Sequence, residues 1–133
     1  MLAPPWDAVR LTLHVLAATV WVGGQLTLAA LVPMLRRRDP DLPRAVAQAF
    51  ARVAWPAYGV LLVTGVWNVV AVEAGADRTY QVVLGLKVAV VAASGLTAWA
   101  HARARTTTGL AVYGALTGLT AMSAVLLGVL LAG

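Results

Sequence analysis

Residues Ala8–Leu35 read AVRLTLHVLAATVWVGGQLTLAALVPML, and Arg10 is the single charge among them. A helix needs about 20 predominantly apolar residues to cross roughly 30 Å of hydrocarbon, so this stretch is long enough to span a bilayer. The run is continuous, whereas a transmembrane barrel would show alternating segments of about 10 residues. In lipid the backbone then satisfies its own polar groups in only one way, as a helix. Three further stretches read alike: Ala45–Val72, Tyr80–Ala102 and Gly109–Ala132. The expected fold is all-α, a polytopic membrane protein built as a four-transmembrane-helix bundle. It forms a single domain over residues 1–133, with spans at about 8–35, 45–72, 80–102 and 109–132.

Composition excludes the main alternatives. Of the 133 residues 61% are hydrophobic and 11% charged, against about 45–50% and 25% in soluble domains. Disordered chains are poor in the residues that dominate here. Without cysteine there is no disulfide framework, thiolate zinc site or iron–sulfur cluster. The net charge of +5 is not gathered on a basic helix or stripe, so no nucleic-acid partner is expected.

The arginines read as a topology signal. The first connection, Arg36 to Arg44, carries four of them; the second, residues 73–79, has Arg78 alone; the third has Arg103 and Arg105. The positive-inside rule puts the first and third connections in the cytoplasm and both termini outside. The expected location is the inner (cytoplasmic) membrane of a bacterium, with the lipid bilayer as partner. Met1–Asp7 carries two prolines and an acid and no positive region before Arg10, so the first span reads as retained rather than as a cleaved leader. Pro43 suits the start of the second helix. Pro56 predicts a kink or local break near Ala51–Trp55, and Arg52 is placed to snorkel to the headgroups.

Ionisable residues inside a span are costly and point to function. His14 lies about 9 Å below the outer end of the first helix, and Lys87 about 10 Å below the same surface on the third. Thr64 and Asn68, one turn apart on the second, reach matching depth, as do Met122 and Ser123 on the fourth. His14, Ala18, Trp21 and Gln25 form one stripe by 4-3-4 spacing, and Tyr80, Lys87, Ser94 and His101 another at sevens. The structural alternatives are snorkelling for Lys87 and helix-to-helix hydrogen bonding for His14. His101 lies about 21 Å from Lys87 along its helix and belongs with Arg103 and Arg105 at the cytoplasmic interface. His14 and His101 are therefore too far apart to ligate one metal or one haem within a chain.

Metal ligands are scarce: two histidines, three methionines and one glutamate, Glu73. Imidazole and thioether both suit copper, and His14 with Met122 is the one pair at a common level. A haem with His14 on one side and Met122, Lys87 or water on the other is compatible with this placement. Gly114 and Gly118, and the pair Gly23-Gly24, allow close helix approach within the bundle or between copies, so a homo-oligomer is an expectation. Paired carboxylates, a nucleophile–base pair and a phosphate loop are all absent from the sequence, which excludes hydrolytic catalysis as a reading.

The segment Leu13-His14-Val15-Leu16-Ala17-Ala18-Thr19-Val20-Trp21-Val22-Gly23-Gly24 resembles the first helix of the CopD-like copper-resistance membrane proteins. Thr64-Gly65-Val66-Trp67-Asn68 and Leu84-Gly85-Leu86-Lys87 resemble later parts of the same four-helix core, so the likeness covers about the first 100 residues. It implies a role in copper movement or homeostasis, with the family's histidine at His14 and its lysine at Lys87. A more distant likeness in pattern is to the HemJ type of protoporphyrinogen oxidase. The full-length copper-resistance proteins are larger and carry further histidine or methionine ligands, which this sequence lacks.

The leading expectation is a metal-binding or metal-transporting membrane protein, copper its ion. His14 is the ligand, Thr64 and Asn68 its hydrogen-bonding supports, and Lys87 and Trp21 complete the candidate cofactor-binding set. Lys87 fits a cation site awkwardly and suits an anion better. The alternatives are a haem b-binding redox protein, in which Lys87 pairs with a propionate, and a non-catalytic assembly partner.

Overall fold

The computed structural model describes residues 4–72 and 75–132. Helix α1 (Pro5–Ala18) passes through a π-helical turn (Thr19–Gly23) into α2 (Gly24–Arg38), so the first span runs without a break from Pro5 to Arg38. Three long helices follow: α3 (Leu42–Val72), α4 (Arg78–Arg103) and α5 (Thr107–Ala132). All four are long and apolar enough to cross a membrane, and each starts two or three residues before the limit read from the sequence.

Local chemistry explains the ends. Pro5 opens α1, where its missing N–H costs nothing. Asp39 stops α2 in an extended conformation, and its Oδ1 accepts from the Asp41 N–H at 2.8 Å, the side-chain turn that aspartate favours. Asp77 caps α4 by accepting from the Tyr80 N–H at 2.7 Å. Thr106 does the same for α5 through the Gly109 N–H at 3.0 Å. Inside the spans, hydroxyls bond back to their own helices, as Thr27 to the Gly23 carbonyl and Thr97 to the Ala93 carbonyl, each at 2.8 Å. These hydroxyls are thereby satisfied without water.

Of the kink or local break expected near Ala51–Trp55, the break does not occur: α3 is helical throughout, with Pro56 inside it. The π turn is the irregularity that periodicity did not reveal. It interrupts the 4-3-4 spacing drawn through His14, Ala18, Trp21 and Gln25, because a π turn takes an extra residue.

The chain falls into two compact units, residues 1–68 and 69–133. The first packs α1, the π turn and α2 with the greater part of α3. Gly24 lies so close to the Phe50 ring that a Cβ there would overlap it. Small side chains are buried, Ala17 and Ala54 among them, while Val63 and Val66 are exposed. That is the arrangement of helices that pack through small residues and turn large apolar ones outward.

In the second unit α4 and α5 pack as an antiparallel pair along a seam repeating in sevens. Lys87, Ser94 and His101 on α4 meet Gly128, Ala121 and Gly114 on α5 in one register. A Cβ on Gly128 would stand 3.2 Å from Lys87 Nζ, and one on Gly114 would stand 3.1 Å from His101 Cε1. At the centre Ser94 and Ala121 are each 1% exposed. Of the Gly114–Gly118 pair, Gly114 meets His101, whereas Gly118 has nothing within 4 Å of its Cβ position among the described residues. A seven-residue repeat, rather than a four-residue one, keeps this seam on a single face of two nearly antiparallel helices.

Candidate histidine site

The packed face of α1 and the π turn carries Arg10, Ala17 and Trp21, all buried, with His14 half-buried among them. His14 reaches α3, where its Nδ1 lies 2.8 Å from Thr64 Oγ1. Its Cε1 is 3.9 Å from the Cβ position of Gly65, so the ring rests on the bare backbone beside Thr64. Thr64 is 3% exposed, and its hydroxyl is 2.7 Å from the Val60 carbonyl and 3.3 Å from that of Leu61.

One arrangement of protons satisfies both contacts of the Thr64 hydroxyl. A hydroxyl has one proton, and a carbonyl can only accept. If Thr64 donates to a carbonyl of α3, it meets His14 with a lone pair and accepts from the Nδ1–H. A neutral His14 in that tautomer carries its basic lone pair on Nε2, the form in which an imidazole ligates a metal.

Asn68, one turn beyond Thr64 on α3, is half-buried. Trp21 lies in the π turn at 4% exposure and belongs to an aromatic cluster. Its ring centroid is 4.5 Å from that of Tyr58 and 5.4 Å from that of Trp55, and Trp55 meets Tyr58 edge-on at 5.9 Å. In the second unit Lys87 is half-buried against Gly128, and Met122 is 53% exposed, directed away from the seam that buries neighbouring Ala121. His101 sits beside Gly114, and its Nδ1 is buried without a hydrogen-bond partner. Arg103 stacks on Trp99 at 4.4 Å from the ring centroid. Glu73, counted among the potential ligands, lies outside the described residues.

Among the described residues no group of three or more His, Cys, Asp or Glu side chains gathers to hold a metal ion. The pairing of His14 with Thr64 is therefore the candidate site's one built element, and it comes from the depth matching read in the sequence. The burial of Arg10 was missed, although its position four residues before His14 put it on the same stripe. Gly128 was missed as well, and small residues at 114, 121 and 128 were the signal that marked it. The sequence matches no family model, no curated protein and no solved structure.

Proposed function

We propose that this chain is a multi-pass protein of the bacterial cytoplasmic membrane, CopD-like in its core and with both termini outside, that binds copper through His14 as an ion in passage. The observation that supports the reading is the His14–Thr64 hydrogen bond. Histidines that ligate metals generally donate their other ring N–H to a fixed acceptor, which sets the ring's orientation and raises the basicity of the ligating nitrogen. Thr64 supplies such an acceptor from within the span. A single imidazole is a sparse donor set, which suits an ion that must leave as readily as it enters.

Titration of the detergent-purified protein with copper(I) against a competing chelator tests this reading. The wild type is expected to bind and His14→Ala to lose the response. Thr64→Val, which keeps the shape and removes the acceptor, is expected to weaken affinity by about 10–100-fold, and Thr64→Ser to restore most of it. Equal affinity in His14→Ala overturns the copper reading. A Soret band in the purified protein would favour a haem-binding protein instead. A colourless protein without copper response, in which His14→Ala changes stability alone, would favour an assembly partner.

A further inference from the structure

Arg10 occupies the second turn of α1, at the last charged position before an apolar run that reaches Leu35. Its side chain is 8% exposed, whereas Trp6, one turn earlier, is 69% exposed. A guanidinium presents five N–H donors on three nitrogens. Nη2 bonds Asp7 Oδ1 at 3.0 Å; Nε and Nη1 are buried and have no hydrogen-bond partner among the described residues. Three of the five donors are thus enclosed and unanswered. Burying a charge is tolerated when its hydrogen bonds are made and is costly when they are not.

The surroundings point to what would answer them. The bond to Asp7, three residues back, shows that the guanidinium is turned toward the start of α1, the direction in which helical side chains lean. That start has no side-chain cap: Pro4 precedes it and Pro5 has no N–H to offer. The positive end of the helix and the arginine therefore converge, and an anion at that point interacts with both. Exposed Trp6 is the residue type that concentrates at headgroup level. Asp7, with its side chain 40% exposed, is the one acidic group in this turn and competes with an incoming anion for the guanidinium.

We propose that Arg10 and the first turn of α1 bind the phosphate group of a phospholipid headgroup. The proposal rests on the reading that the four helices span a membrane, because only then do headgroups lie at this level. A phosphodiester offers several acceptor oxygens to a planar fork of donors, the match for which arginine is suited beyond its charge. Inorganic phosphate shares the chemistry and is the competing source.

Native mass spectrometry of the purified full chain, with phosphatidylglycerol, phosphatidylcholine or inorganic phosphate added in turn, tests it. The wild type is expected to retain one phospholipid, with Arg10→Gln lowering retention at least tenfold. Arg10→Lys keeps the charge without the fork and is expected to be intermediate; Asp7→Asn removes the competitor and is expected to tighten binding. Should Arg10→Gln fail to yield folded protein, the last two variants still decide. Retention that is equal across the variants overturns the site. Arg10-dependent binding of inorganic phosphate with no lipid retained overturns the lipid assignment. Carbonate extraction of native membranes is read alongside: release of the chain overturns the spanning reading, whereas a chain that stays in the membrane without Arg10-dependent lipid overturns the phosphate site alone.

Discussion

Lys87 Nζ lies 3.2 Å from the point where a Cβ on Gly128 would stand. Fourteen residues along α4, His101 repeats the relationship with Gly114, its Nδ1 3.3 Å from that Cβ position. Two glycines thus make room for Lys87 and His101 of α4, with Ser94 and Ala121 between them. Replacing either glycine by leucine is expected to force the helices apart and destabilise the protein by about 1–3 kcal/mol, the usual cost of overpacking. Gly118→Leu, with open space at its Cβ position, is expected to cost less than either. Thermal unfolding of the three variants in detergent checks the order.

Gly24 is expected to be intolerant of alanine, because the new methyl group would overlap the ring of Phe50. The ring must move or α2 and α3 must part, at a cost of about 1–3 kcal/mol. Phe50→Leu combined with Gly24→Ala should recover part of the loss, since the two sites are in contact and their effects do not add. A double-mutant cycle on melting temperature measures this. Additive losses would mean that the ring is not the obstacle.

Tryptophans divide by face. Trp21→Ala removes the ring that touches both Trp55 and Tyr58 and is expected to cost about 3–5 kcal/mol, as buried aromatic truncations do. Trp67→Ala and Trp99→Ala remove rings that are 47% and 50% exposed and should cost much less. Unfolding followed by circular dichroism separates the cases, because it does not depend on the fluorescence of the residue removed.

The proposed orientation predicts a labelling pattern. Single cysteines placed at Asp41 and at Thr106, in the first and third connections, are expected to be shielded from a membrane-impermeant maleimide in intact cells. One placed at Ala76, in the second connection, is expected to react. The reverse pattern would invert the topology and move His14 to the cytoplasmic half.

Span number and approximate limits were legible because an uninterrupted apolar run of this length has one solution in lipid, and because Asp39, Asp77 and Thr106 mark helix ends by their own hydrogen bonding. The polar stripe of α4 was legible as well, since three residues at sevens share a face whatever they pack against. Pro56 left a kink and a break both open, and α3 continues through it, because proline weakens a helix locally without ending every helix that contains it.

The facing of the helices was not legible. A span that is apolar all round has no amphipathic stripe to orient it, so periodicity could match His14 and Thr64 in depth without showing that they touch. Arg10 shows the same limit from the other side. As a residue it reads as a charge on a flank, and only packing buries it and leaves two of its nitrogens unanswered. The sequence by itself determined four long apolar helices and their order, because hydrophobic length and local capping act along the chain. Tertiary structure alone decided the contact of His14 with Thr64, the partners of Lys87 and His101, and the enclosure of Arg10. These depend on contacts between residues as far as 50 positions apart, set by small side chains that allow close approach and that no single helix can register.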